Sequence, residues 1–159
     1  MSLAITDDGV FSGYASIFGK IDQGGDVVMP GAFKKTLSKR GAPNVRMLFQ
    51  HDPKEPIGHW LNIVETDVGL KVTGRLISAV GRGAELVALI QEGAIDGLSI
   101  GFKTVRASQR AGSAARKLYE VDLWEISIVA FPMLDVARIA DASLAQSIKN
   151  ATNLLQTTT

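Results

Sequence analysis

The 159-residue chain has two histidines and no cysteine, so the residues able to do acid–base or nucleophilic chemistry are few. His51 follows the run VRMLFQ and opens HDPKEPIGHW, with His59 eight residues later. Either His51 is a solvated loop residue, or the loop exists to present it. Ser99 stands in GLSIGF. There, strand alternation puts Leu98, Ile100 and Phe102 on one face and Ser99 and Gly101 on the other. The glycine two residues on would leave the serine hydroxyl and nearby backbone open to approach. Glu125 heads the apolar run EISIVAF, where a carboxylate is costly unless it is paired, neutralised or reaches water. A nucleophile, a base that takes its proton and an acid that orients the base are the three roles of serine hydrolysis, in any chain order. Each residue also has an ordinary structural reading: a half-buried strand serine, a loop histidine, an edge-strand glutamate. A second grouping, His51, Asp52 and His59 around a metal ion, would instead make a metal-dependent hydrolase.

Composition narrows the field. Hydrophobic residues make up 46% and charged residues 21%, as in globular proteins. Lys+Arg 17 against Asp+Glu 16 leaves a net charge of +1, which offers no electrostatic case for a nucleic acid or an anionic membrane as partner. No apolar run is long enough to span a bilayer, and MSLAITDDGVFSG lacks a signal-peptide pattern, so a cytoplasmic location is expected. Without cysteine there are no disulfides, thiolate metal sites or cysteine nucleophile.

The candidate residues need elements to position them, and glycine-punctuated apolar runs supply mostly strands. VFSGYASIFG (10–19) and VRMLFQ (45–50) read as strands, and the segment holding Pro53 and Pro56 reads as a loop. IGHWLNIVET and VGLKVTGRLI, with Asp67 between them, read as a hairpin. Pro30 suits the start of a short helix over 31–40. The best helix is 81–93, with Leu86, Val87, Leu89 and Ile90 on a broad apolar face and Gly93 as its stop. GLSIGFKTV (97–105) and WEISIVAF (124–131) are strands, with a third over KLYEVDL (117–123). The small, basic RASQRAGSAARK (106–117) reads as a mobile loop. Asp141 would cap a last helix, ASLAQSIKNATNLLQ. The sum is a mostly β (α+β) domain with peripheral helices, closed as a barrel or a sandwich.

Four blocks, GDVVMPGAF, FQHDPKEPIGHW, GLSIGF and WEISIVAFP, stand in this order. As a set they resemble the signature blocks of the prohead (capsid-maturation) serine proteases of tailed phages, a family itself similar to the herpesvirus assemblins. The resemblance implies a closed or partly open β-barrel of the herpesvirus-protease type. One domain would span 1–159, with its core at about 9–139 and a C-terminal helix at 141–155. It matches His51 to the family's catalytic histidine, Ser99 to its nucleophile and Glu125 to the third member, where assemblins carry a second histidine. Ile100 and Gly101 would border the substrate and the oxyanion region. The family's P-A-N-P-like turn is replaced by Phe131-Pro132-Met133-Leu134-Asp135. His59 has no counterpart, and alternation groups it with Ile57, Leu61 and Ile63. The implied activity is that of a Ser-His-Glu endopeptidase that needs no cofactor or metal. It would cleave major capsid or scaffold protein, and itself, inside an immature capsid in the bacterial host's cytoplasm. Self-association through the 141–155 helix is expected. The alternative is an inactive scaffold or capsid-interaction module of the same fold.

Overall fold

Runs in which apolar side chains alternate with polar ones fold here as strands, and each places its apolar set on one common core. The structure is a computed structural model and describes residues 4–109, 111–113 and 115–140. Its strands are β1 (Val10–Ile17), β2 (Asp26–Val28), β3 (Arg46–Phe49), β4 (Asp52–Glu65), β5 (Gly69–Leu76), β6 (Gly97–Ser108) and β7 (Arg116–Val129). Two helices, α1 (Lys34–Arg40) and α2 (Gly81–Gln91), lie among them. The sheet order is β1-β5-β4-β3-β7-β2, with β6 on the other edge of β7. β7 runs parallel to β2 and β3 and antiparallel to β6.

The sheet curls until β1 and β6 nearly meet, and the segment 137–139 spans the gap. Ile139 bridges Gly13 of β1, and Arg138 bridges Gly97 of β6. The Leu98 N–H donates to the Ala137 carbonyl (2.9 Å), and the Tyr14 N–H to the Arg138 carbonyl (3.3 Å). The Arg138 guanidinium holds Asp96 at 2.6 Å. So close an approach needs glycine in β1: a Cβ on Gly13 would sit 2.4 Å from the Arg138 carbonyl oxygen. The architecture is a mostly β, barrel-like curl with peripheral helices, as expected. Its core holds Phe11, Phe33, Met47, Ile57, Trp60, Leu98 and Ile126, all fully or almost fully buried. Phe11 and Trp60 meet edge to face at 5.6 Å.

Several expectations need correction. The Pro53/Pro56 segment is not a free loop: β4 begins at Asp52. Its pairing with β3 slips between Phe49↔Asp52 and Leu48↔Pro56, so 53–55 have no counterpart on β3 and both prolines are tolerated at the irregularity. A second slip, between Leu48↔Pro56 and Met47↔Gly58, leaves Ile57 extra, and with another at Trp60/Asn62 it turns Ile57, Trp60 and Ile63 inward, at a spacing of three instead of two. His59 and Leu61 therefore face solvent and do not side with Ile57 and Ile63. The expected strands 117–123 and 124–131 are one strand, β7. Arg106–Ser108 and Arg116–Lys117, expected in a mobile loop, belong to the β6–β7 hairpin. Arg106 stacks on Tyr119 at 5.2 Å, and Arg116 grips Asp26 through two bonds (2.8 and 3.0 Å). Partners in the fold, invisible to local composition, order these basic residues.

The first helix begins at Lys34, four residues after Pro30. The Glu65 carboxylate accepts the Gly31 and Phe33 N–H groups (3.1 and 2.9 Å) and fixes the turns over residues 30–33 that precede the helix. On α2 the buried stripe is Leu86 and Ile90, and Leu89 is 43% exposed, so the apolar face is narrower than expected. The expected 141–155 helix lies outside the described residues.

Candidate active site

The site begins with a backbone conformation. β3 turns into β4 through Gln50 and His51 alone, and both have positive φ, 56° and 58°. Two-residue hairpin turns need this geometry and usually take it from Asn-Gly; for other residues it costs about 1–2 kcal/mol each. Three bonds from the end of β7 and the residue after it hold the turn. The Gln50 N–H donates to the Ile128 carbonyl (3.0 Å) and the Ala130 N–H to Gln50 Oε1 (2.9 Å). The His51 N–H donates to Ser127 Oγ (3.1 Å). The sequence did place His51 at the end of an apolar strand, but the turn lacks the usual Gly or Asn signal.

Register does the rest. On the β6–β7 pair Ser99 stands opposite Ser127 and Gly101 opposite Glu125. Directly opposed residues share a face, and Leu98, Ile126 and Ile128 fill the inner face, each with no exposed surface. Ser99, Gly101, Glu125 and Ser127 thus share the outer wall, and the β3–β4 turn lays the His51 ring against it. His51 Nδ1 pairs with Glu125 Oε1, and the Ser127 hydroxyl donates to Glu125 Oε2 at 2.6 Å. The Glu125 side chain is 14% exposed and that of His51 43%. Paired with the carboxylate, the ring is easier to protonate: the hydrogen bond to Glu125 raises the His51 pKa above its ordinary value, against the opposing effect of burial. Alternation in GLSIGF brought Ser99 to this face correctly.

Gly101 faces Glu125 directly across the β6–β7 pair. A Cβ there would lie 2.1 Å from Glu125 Oε1, so its empty side-chain space is filled by the carboxylate. Ser99 is 6% exposed, and among the described residues its hydroxyl has no hydrogen-bond partner. Because the Leu98 N–H points away from β7 to Ala137, alternation directs the Ile100 N–H to that same edge. The structure does not gather His51, Asp52 and His59. Asp52 Oδ1 accepts the Lys54 N–H (2.9 Å), and His59 faces solvent on β4. Among the described residues no group of three or more His, Cys, Asp or Glu could hold a metal ion. Sequence reasoning missed Ser127 and Gln50. Strand alternation counted from Glu125 puts Ser127 on its face, two residues on.

The site thus defines a class of curled β-barrel that carries an imidazole–carboxylate pair on the same wall as a serine whose hydroxyl has no partner among the described residues. The model of the caudovirus prohead serine protease family matches residues 2–153, and the chain belongs to that family. The prohead protease of Enterobacteria phage HK97 is 37% identical over 134 residues, 83% of this chain and 59% of that protein. That of Escherichia phage T5 is 27% identical over 121 residues, 76% of this chain and 56% of that protein. The chain thus spans less than two thirds of the length of these relatives. Among solved structures, the bacteriophage T4 capsid assembly protease is similar with a TM-score of 0.63 at 14% identity, over 76% of this chain and 82% of that one. The KSHV protease in complex with a hexapeptide phosphonate inhibitor gives a TM-score of 0.54 at 12% identity, over 87% and 68%. At such identities the likeness is one of fold.

Proposed function

We propose that this chain is a serine endopeptidase of capsid maturation, with Ser99 as nucleophile, His51 as base and Glu125 as the acid that orients it. The observation that carries the reading is the His51–Glu125 pair on the wall that also bears the unpartnered Ser99 hydroxyl. With Nδ1 engaged by Glu125, Nε2 is the nitrogen free to work. Ser99 Oγ attacks the scissile carbonyl carbon as its proton passes to Nε2, and Glu125 stabilises the imidazolium. The proton then goes to the leaving amine nitrogen as the C–N bond breaks. Water, deprotonated by His51 Nε2, then attacks the acyl carbon, and that proton passes to Ser99 Oγ as the ester C–O bond breaks. The Ile100 N–H, on the edge of β6 that faces away from β7, is the donor assigned to the oxyanion.

Family membership supports capsid or scaffold protein as substrate, together with the chain itself, inside an immature capsid in the bacterial host. It also supports action as a homo-oligomer. Among the described residues no helix is long and apolar enough to cross a membrane. The test is labelling with a fluorophosphonate followed by peptide mapping. The adduct is expected on Ser99, and is expected to vanish in Ser99→Ala and His51→Ala variants that keep the parent's circular dichroism. Labelling elsewhere, or undiminished labelling of Ser99→Ala, overturns the assignment. Incubation with its capsid protein and mass spectrometry of the fragments then identifies the cleaved bonds.

A further inference from the structure

We propose that Ser127 is the positioning residue of this site, its buried hydroxyl tying the Glu125 carboxylate to the backbone of His51. The inference rests on the reading of His51 and Glu125 given above. Ser127 has no exposed surface and uses its hydroxyl twice: it donates to Glu125 Oε2 (2.6 Å) and accepts the His51 N–H (3.1 Å). Glu125 Oε1 meets His51 Nδ1, which closes a ring of three hydrogen bonds. The ring runs from the His51 backbone through Ser127 and Glu125 and back to the His51 imidazole.

Each link restricts a different freedom. A glutamate on a strand has three side-chain torsions, and the space over Gly101 admits its carboxylate without choosing the rotation. Partners on both oxygens choose it. The left-handed backbone at His51 is held against its intrinsic cost by a donor–acceptor pair that Ser127 completes. A carboxylate that accepts from Ser127 and cannot rotate stays an acceptor for Nδ1–H, so the tautomer with Nε2 unprotonated is preserved. An alanine would leave the His51 N–H and Glu125 Oε2 without this partner.

The chain's two histidines make the test direct. In Ser127→Ala, made in the Ser99→Ala background, ¹H–¹⁵N spectra of the imidazoles are followed against pH, with the exposed His59 as internal control. The expected result is a lowered His51 midpoint and a mixed His51 tautomer, with His59 unchanged. In the Ser99 background, fluorophosphonate labelling of Ser127→Ala is expected to slow on the order of 10²-fold, as for a misplaced reacting group. Where Ser127→Ala does not fold, Ser127→Cys, which keeps the volume with a weak donor, is read in the same way. An unchanged His51 midpoint and tautomer in the folded variant overturns the proposal. The spectra do not depend on catalysis, so failure of the parent to label would sink the protease reading and leave the Ser127 result standing.

Discussion

At the scale of the residue, His51 brings a pH dependence with a definite sign. Its hydrogen bond to Glu125 raises its pKa above the ordinary histidine value, about 6.5. A base must be neutral to take a proton, so labelling of Ser99 should rise with pH and reach half its maximum above that value. Glu125→Gln keeps the shape and removes the charge. Its midpoint should fall back toward about 6.5, and its plateau rate should drop by about 10²-fold or more, toward the roughly 10⁴-fold seen when a triad acid is neutralised. A parent midpoint at or below the ordinary value would contradict the pairing. Stability follows the same linkage. A pKa raised by folding stabilises fully at pH below the unfolded value, and that contribution disappears as pH rises through the folded value. The urea midpoint should therefore decline over that interval in the parent, and this part of the decline should be absent in Glu125→Gln.

At the scale of the element, the β6–β7 pair aligns an absent side chain with a large one. A Cβ at position 101 would lie 2.1 Å from Glu125 Oε1 and 2.7 Å from its Cδ, so Gly101→Ala must expel the carboxylate. The obstacle is a flexible side chain near the surface, so the barrel should survive, with a loss of about 1–3 kcal/mol or less in urea unfolding. Labelling of Ser99 should slow on the order of 10²-fold, and the His51 titration should move down. A Gly101→Ala protein with parental labelling would show that Glu125 has room the geometry denies it. The same pair shows how far local reading reaches. Alternation put Ser99 and Gly101 on one face, but only the register with β7 shows that Gly101 serves Glu125. In β4 the two prolines suggested a loop because a proline cannot join a regular ladder; the register slip that accommodates them depends on β3.

At the scale of the whole molecule, closure of the curl positions the strand that carries Ser99. Segment 137–139 holds β6 at Gly97 and Leu98, immediately before Ser99, and holds β1 at Gly13. A side chain at Gly13 would collide with a backbone oxygen at 2.4 Å, which cannot swing aside. Gly13→Ala should thus cost about 1–3 kcal/mol in urea unfolding and speed hydrogen exchange of the Leu98 and Tyr14 amides, which donate to this segment. Undisturbed exchange at both amides would show that the closing bridges bear no strain. Arg138→Ala, which removes the bond to Asp96, should loosen the Leu98 amide in the same direction.

The strand-rich class, the outward face of Ser99 and the cost of a carboxylate at Glu125 are legible in the amino-acid sequence, because they follow from side-chain alternation and burial within single segments. Composition alone also limits the candidate histidines to His51 and His59. Which histidine meets Glu125, that Gly101 yields its space to that carboxylate, and that Ser127 links the two emerge with the assembled sheet. Those outcomes turn on the register of β7 against β6 and β3, and on a turn whose left-handed residues are held by groups 80 and 76 positions away in the chain (Gln50 to Ala130, His51 to Ser127). Local propensity disfavours that turn; cross-strand hydrogen bonds, which exist only once the barrel has formed, hold it.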